Sequence, residues 1–209
     1  MNEILKKIEE IKLIPVVKLN SVENAVPLAK ALLDGGINAC EITFRTEAAF
    51  EGIKAIKKAF PKMFVGAGTV INIDYAKKAL EAGADFLVSP GFNPKVIDFV
   101  LANGKTMIPG ISNSSEIEFA LEKGLSYLKF FPAEALGGVK MLKAFSGPFS
   151  DVRFMPTGGI SLDNMETYLK CENVFAIGGS WMIKDDFELV TKLSSQVVEK
   201  LKIFSACKD

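Results

Sequence analysis

Short apolar runs alternate along the chain with longer stretches in which apolar residues recur at helical spacing. The short runs are typical of buried parallel strands, and the 3.6-residue spacing is typical of helices with one buried face. We predict strands at 14–18, 39–43, 64–67, 86–89, 106–108, 127–130, 153–156 and 174–178. We predict helices at 22–33, 48–59, 73–81, 94–102 and 115–123.

Strands that alternate with helices in this way favour the α/β class with a parallel sheet, and their number favours a single-domain (β/α)8 TIM barrel. The predicted domain has an N-terminal helix at about 2–10, a barrel at about 14–183 and a C-terminal helix at about 186–203. The alternative is a doubly wound open sheet, but no G-x-G-x-x-G motif follows the first predicted strand. In a barrel the functional side chains lie where strands end.

Composition excludes several functional classes. The chain has 25 basic and 25 acidic residues, so it offers no basic field for nucleic acid. It contains no histidine, which excludes a Ser-His-Asp triad and any histidine-ligated metal. We expect no metal and no cofactor, and acid–base chemistry must come from another side chain or water.

The cysteines and the apolar segments indicate a cytoplasmic protein. Cys40, Cys171 and Cys207 are far apart and form no CxxC pair, so we interpret them as incidental thiols in a reducing compartment. The N-terminus lacks the apolar core of a signal peptide, and no run approaches the ~20 residues that span a bilayer. We therefore expect no membrane partner.

Lys129 is the most informative single residue, because it is one cation within the aromatic run 127–131. Desolvation disfavours a charged ammonium, and a neutral amine can attack a ketone to form an imine. The alternative is that Lys129 has no catalytic role, and that its amine pairs with a carboxylate or reaches solvent. Glu41 follows Ala39 and Cys40 in the second strand and is the carboxylate best placed to shuttle protons beside Lys129. A salt bridge to Arg45 or Lys129 is its alternative role.

Other polar residues at strand ends suit an anionic ligand. Glu41, Thr43 and Arg45 alternate around the end of the second strand, so they share one face. Arg45 and Thr69 offer donors to a carboxylate or phosphate, and Thr157 could do the same. Gly158-Gly159 and Gly178-Gly179-Ser180 follow the last two strands, where exposed backbone N–H groups can bind phosphate. Each glycine pair alone is also ordinary turn chemistry.

Together these segments resemble the bacterial 2-keto-3-deoxy-6-phosphogluconate aldolase family, which includes 4-hydroxy-2-oxoglutarate aldolases. The resemblance runs from about residue 14 to 182. The matching motifs are Glu41 to Thr46, Gly66 to Val70, Val88-Ser89-Pro90, Pro109-Gly110, Leu128 to Glu134, Pro156 to Ile160 and Ile177 to Trp181.

The resemblance implies a homotrimer of TIM barrels and a phosphorylated 2-keto acid substrate. It implies a Schiff base on Lys129, acid–base catalysis by Glu41, and pyruvate and glyceraldehyde 3-phosphate as products. The resemblance also implies which residues contact the substrate. Arg45 and Thr69 match the positions that hold the pyruvate carboxylate, and Thr157 matches the substrate channel. Pro90 and Phe131 match the pocket wall. The residues that match the phosphate loops are Gly158, Gly159, Gly179 and Ser180.

One position departs from the family. Lys18 stands at the end of the first predicted strand, where several relatives carry arginine, and it adds a second lysine that could compete as the nucleophile. Pro156-Thr157-Gly158-Gly159 favours the gluconate-derived substrate over the galactonate-derived one. Cleavage of 4-hydroxy-2-oxoglutarate to pyruvate and glyoxylate is a candidate additional activity. The alternatives are an aldolase for the galactonate-derived substrate, a phosphate-binding epimerase or isomerase, and a non-catalytic binder of phosphorylated metabolites.

Overall fold

The structure is a computed structural model that describes residues 2–206, with the backbone alone at Ala206. Strands alternate with helices as the hydrophobic pattern predicts. The strands are β1 (Leu13–Val17), β2 (Ala39–Thr43), β3 (Phe64–Gly68), β4 (Phe86–Val88), β5 (Met107–Ile108), β6 (Gly110–Ile111), β7 (Tyr127–Phe130), β8 (Arg153–Pro156) and β9 (Ile177–Gly179). The α-helices are α1 (Glu3–Ile11), α2 (Ala25–Asp34), α3 (Ala48–Ala59), α4 (Ile73–Glu81), α5 (Pro94–Ala102), α6 (Ser114–Glu122), α7 (Gly138–Ser146), α8 (Met165–Leu169) and α9 (Phe187–Ala206), and a 3-10 helix covers Glu134–Leu136.

Local sequence signals explain where several helices begin. The side chains of Asn72, Asn93 and Asn113 accept hydrogen bonds from backbone N–H groups in the first turns of α4, α5 and α6. These bonds satisfy donors that have no partner within the helix. The predicted bounds of α3, α4 and α5 are confirmed, and α6 is shifted by one residue. No helix was predicted over α7 or α8.

The strands form a curled parallel sheet, which is the α/β class predicted. A six-stranded sheet has the order β5-β4-β3-β2-β1-β9, and a three-stranded sheet has the order β6-β7-β8. The predicted strand 106–108 differs, because it continues past Pro109 as two short strands. Proline has no backbone N–H to donate. β5 pairs with β4 and β6 pairs with β7, so the six-stranded sheet ends at β5 and the three-stranded sheet begins at β6. The curled parallel sheet is a half-barrel.

The last predicted strand also differs from the structure. Regular pairing begins at Ile177 rather than 174, and Val174 makes only an isolated bridge to Phe154. A second isolated bridge joins Thr157 to Gly178 at the carboxyl ends of β8 and β9. The two sheets therefore approach each other at this edge.

Apolar side chains fill one end of the space that the sheet encloses. Ile8 of α1 packs with residues near the starts of the strands, among them Ile14, Phe64 and Phe86. The rings of Phe64 and Phe86 stack with centroids 5.0 Å apart. A separate, larger cluster lies between the strands and the surrounding helices. Apolar side chains occupy the amino-terminal end of the enclosed space, and the polar side chains lie at the carboxyl ends of the strands. No helix in residues 2–206 is both long and apolar enough to cross a membrane.

Candidate active site

A cavity of about 280 Å³ opens at the carboxyl ends of the strands. Every predicted site residue except Lys18 lines it. The lining residues are Val16, Glu41, Thr43, Arg45, Thr69, Pro90, Lys129, Phe131, Thr157, Gly158, Gly159, Ile160, Gly179 and Ser180. Val16, Thr43 and Ile160 line the cavity without having been predicted as site residues. The alternation of Glu41, Thr43 and Arg45 along β2 was the signal for Thr43.

Lys129 and Glu41 meet inside the cavity although 88 residues separate them in sequence. Lys129 lies in β7, and its Nζ is 3.5 Å from Oε1 of Glu41 in β2. The two side chains are 6% and 0% exposed. This separation is longer than the ~2.8 Å of a strong charge-assisted hydrogen bond. The amine is therefore close enough to exchange a proton with Glu41 without being tightly bound to it.

The surroundings of this pair leave one acceptor without a partner. Oε2 of Glu41 is buried and has no hydrogen-bond partner among the described residues. A buried carboxylate oxygen without a donor is unfavourable. Nζ of Lys129 also lies 5.3 Å from the ring centroid of Phe131, close enough for a cation–π contact when the amine is charged. The geometry suits a proton acceptor and a nucleophile that face the same space.

Gly68 determines where Glu41 can lie. It ends β3, the strand that pairs with β2, and a Cβ at this position would overlap the Glu41 carboxyl group. The absence of a side chain therefore creates the space in which the carboxyl sits. Thr69 follows with a φ of 58°, in the left-handed region that β-branched residues rarely adopt. Such strain is concentrated at functional sites, and Thr69 lines the cavity.

A short chain of hydrogen bonds orients Arg45. Its Nε donates to Oγ1 of Thr43 over 3.1 Å, and the Thr43 hydroxyl donates to the carbonyl of Val17 over 2.8 Å. Thr43 is buried, while Arg45 is exposed at the cavity mouth. Because Arg45 uses only Nε in hydrogen bonds to other described residues, the terminal nitrogens of its guanidinium can face an anionic ligand in the bidentate manner typical of arginine.

The two glycine segments form another part of the cavity lining. Gly158 and Gly159 have φ angles of 98° and 80°, which favour glycine. A Cβ at Gly159 would overlap the Glu134 side chain, and one at Gly179 would overlap the ring of Trp181. Ser180 follows β9 and is exposed. The glycines leave backbone accessible here, and Ser180 adds a hydroxyl.

Lys18 lies outside this cavity, which differs from its expected place in the site. It is exposed beyond the end of β1 and lines a neighbouring cavity of about 490 Å³. That cavity shares Val16, Arg45 and Ser180 with the first. The physical reason is that β1 ends at Val17, so Lys18 lies beyond the regular alternation of side chains between the two faces of the strand. Lys18 is therefore adjacent to the site entrance.

The two cysteines within the described residues, Cys40 and Cys171, show no sign of catalytic activation. Burial raises the pKa of the Cys40 thiol to about 12, with further contributions from the charges of Asp85 and Glu41. Burial likewise raises the pKa of Cys171. A reactive cysteine needs the opposite shift. Cys207 lies outside the described residues. Within residues 2–206, no group of three potential ligands could hold a metal ion.

Residues 4–201 match the model of the aldolase family described as KDPG and KHG aldolase. The chain belongs to this family. KDPG is 2-keto-3-deoxy-6-phosphogluconate, also called 2-dehydro-3-deoxy-6-phosphogluconate, and KHG is 4-hydroxy-2-oxoglutarate.

Individual relatives agree with this assignment. The chain is 49% identical over 205 residues to a 2-dehydro-3-deoxy-phosphogluconate aldolase of Treponema pallidum, covering 95% of this chain and 98% of the relative. It is 45% identical to a KHG/KDPG aldolase of Escherichia coli, covering 91% and 92%. The structure is also similar to a crystal structure of KDPG aldolase from Legionella pneumophila, in which pyruvate was captured as a covalent carbinolamine intermediate. The TM-score is 0.90 and the sequence identity is 38%, covering 94% of this chain and 98% of that one.

Proposed function

We propose that this chain is a class I aldolase that cleaves KDPG to pyruvate and glyceraldehyde 3-phosphate through an imine on Lys129. The observation that carries the proposal is the buried pair of Lys129 and Glu41, with Nζ 3.5 Å from Oε1 in a cavity lined by the glycine segments. The family assignment supports the same reaction. Imine chemistry requires a nucleophilic amine with a proton acceptor close by.

The first half of the reaction forms the imine. Lys129 gives up its proton, for which Glu41 is the nearest carboxylate, and Nζ attacks C2 of the substrate ketone. Glu41 returns this proton to the hydroxyl of the resulting carbinolamine, which leaves as water. A protonated imine remains, and Glu41 is again a carboxylate. The imine carbon then accepts electrons from the bond β to it, so the mechanism needs neither metal nor cofactor.

The second half breaks and replaces a bond. Glu41 accepts the proton of the C4 hydroxyl as the C3–C4 bond breaks, and the electron pair of that bond moves onto C3 and forms an enamine. Glyceraldehyde 3-phosphate leaves. Glu41 returns a proton to C3, which becomes the methyl group of pyruvate, and water then releases pyruvate from Lys129. One carboxylic acid thus performs both proton transfers, as expected where no histidine is available.

The remaining cavity residues divide between the two anionic groups of the substrate. We assign Arg45 and Thr69 to the pyruvate carboxylate, because the free nitrogens of Arg45 suit a planar anion. We assign Gly158, Gly159, Gly179 and Ser180 to the phosphate, Thr157 to the channel between the two groups, and Pro90 and Phe131 to the wall. Lys18 adds positive charge in the neighbouring cavity and has no covalent role.

A second substrate is supported by one specific comparison. The E. coli relative carries both KHG and KDPG in its name. KHG offers the same 2-keto acid to Lys129 but has no phosphate, so we expect it to yield pyruvate and glyoxylate less efficiently. The galactonate-derived substrate is the nearest alternative. An epimerase or isomerase would not require a buried lysine beside Glu41.

Borohydride trapping tests the proposal. The protein is incubated with pyruvate and sodium borohydride, its mass is measured, and the modified peptide is mapped. We expect one reduced pyruvate adduct, on Lys129. Lys18→Met is the matched control and should trap pyruvate normally, whereas Lys129→Met should not. The absence of an adduct, or an adduct confined to Lys18, would exclude the proposed mechanism.

The architecture and assembly extend the same proposal. The bridge between Thr157 and Gly178, together with the fifth strand that continues across Pro109, supports a closed (β/α)8 TIM barrel in one domain. We further propose a cytoplasmic homotrimer, as the family resemblance implies. Sedimentation at several protein concentrations tests the assembly, and a monomer at all of them would contradict it.

A further inference from the structure

The peptide groups of the glycine loop after β8 are held from behind. The carbonyl of Gly158 accepts a hydrogen bond from the backbone N–H of Glu134 over 3.1 Å. The carbonyl of Gly159 accepts one from Nδ2 of Asn164 over 2.9 Å. The Asn164 side chain uses its other atom as well, since Oδ1 accepts from the backbone N–H of Ser161 over 2.8 Å. Both polar atoms of Asn164 thus bind one loop.

These bonds determine where the N–H groups point. In a planar trans peptide the C=O and the following N–H lie on opposite edges. When the carbonyls of Gly158 and Gly159 are tied to Glu134 and Asn164, the N–H groups of Gly159 and Ile160 face the other way. Both residues line the cavity, and neither N–H donates to another described residue.

We propose that Asn164 is a positioning residue for the substrate phosphate, which holds the N–H groups of Gly159 and Ile160 toward the cavity. The inference rests on the proposed function, since it needs a phosphorylated substrate. Asn164 lies outside the cavity lining and acts through the loop alone. Its side chain makes no capping bond to α8, unlike Asn113 at the start of α6, so its hydrogen bonds serve the loop rather than the helix.

The Glu134 side chain also supports the glycine loop. It packs against Gly159, so that a Cβ on Gly159 would overlap the Glu134 side chain. The Glu134 carboxylate accepts a hydrogen bond from the hydroxyl of Tyr168. Tyr168 is buried, and the contact directs the negative charge toward Tyr168. The loop is therefore supported by the backbone and side chain of Glu134 on one side and by Asn164 on the other.

The test measures phosphate affinity without turnover. The dissociation constant of glycerol 3-phosphate is measured by calorimetry for the wild type, Asn164→Ala and Asn113→Ala, with glycerol as the unphosphorylated control. We expect Asn164→Ala to weaken binding about tenfold, the size expected for disturbing hydrogen bonds to a charged group. Asn113→Ala loses a helix cap and should bind with unchanged affinity. Pyruvate trapping on Lys129 should persist in both variants.

The possible results separate the two proposals. The role of Asn164 would be overturned if Asn164→Ala bound glycerol 3-phosphate with unchanged affinity, or if the wild type did not bind it. It would also be overturned if Asn164→Ala lost pyruvate trapping to the same extent as phosphate affinity. Failure of the wild type to trap pyruvate would instead count against the aldolase mechanism. If Asn164→Ala does not fold, Asn164→Ser replaces it, because serine is neutral and polar but lacks the amide that donates to the Gly159 carbonyl. Its affinity should also fall.

Discussion

Gly68 packs directly against the carboxyl group of Glu41, and this contact places the proposed acid–base group beside Lys129. The two residues come from neighbouring strands, with Thr43 of β2 opposite Gly68 of β3. A methyl group at position 68 has no room unless Glu41 moves. Glycine is required here by close approach, since its backbone conformation is an ordinary one for a strand.

Gly68→Ala should therefore impair proton transfer more than imine formation. The displaced carboxyl group no longer faces the substrate carbon, so we expect exchange of the pyruvate methyl protons with deuterium to slow by about 10²-fold. Exchange is followed by proton NMR, and imine formation by borohydride trapping. Gly147→Ala is the matched control, because Gly147 follows α7 and has space for a Cβ. Normal exchange in Gly68→Ala would contradict the role of this contact.

Glu41→Gln tests the acid–base group itself. The amide has nearly the same shape but cannot accept the proton, so the imine should still form while methyl proton exchange slows by about 10²- to 10⁴-fold. Trapping and exchange are measured on the same preparation. Exchange at the wild-type rate would show that Glu41 is not the base.

Arg45 and Lys18 should differ in their effects on pyruvate binding. Arg45 is oriented by Thr43 and lines the cavity, whereas Lys18 is exposed in the neighbouring one. Arg45→Lys keeps the charge but loses the planar fork, and we expect the pyruvate concentration for half-maximal trapping to rise about tenfold. Lys18→Met should change it less than Arg45→Lys does. A larger effect of Lys18→Met than of Arg45→Lys would place the pyruvate carboxylate in the neighbouring cavity.

The buried thiols should be unreactive in the native protein. Because burial raises the pKa of Cys40 to about 12, little thiolate is present near pH 8. Iodoacetamide at that pH should modify Cys40 only after denaturation, as measured by peptide mapping. Rapid labelling of the native protein would contradict the burial of this thiol.

The same shift predicts how Cys40 affects stability at alkaline pH. Its folded-state pKa lies above the ordinary value of 9.0, so its contribution to stability is complete below that value. The contribution is lost progressively as the pH rises from there through about 12. Cys40→Ala should therefore show a weaker loss of stability over this range, measured by denaturant unfolding at each pH. Equal pH dependence in both proteins would show that another group dominates.

Local patterns in the sequence determined the secondary structure of much of the chain. The bounds of β2, β7 and β8 and of α3, α4 and α5 follow from apolar runs, helical periodicity and terminal residues that act within a few positions. The motif containing Lys129 also identified the family, because the resemblance depends on residue types and order alone. These properties need no knowledge of which strands are neighbours.

Only the tertiary structure decided relationships between distant segments. The pairing of β2 with β3 brings Gly68 under Glu41, and the curl of the sheet brings Lys129 across to the same carboxyl. The end of β1 at Val17 moves Lys18 into the neighbouring cavity, and the Asn164 side chain turns to the glycine loop. Each depends on distances of a few ångströms between residues far apart in sequence. Periodicity specifies the face of an element, and packing specifies what that face meets.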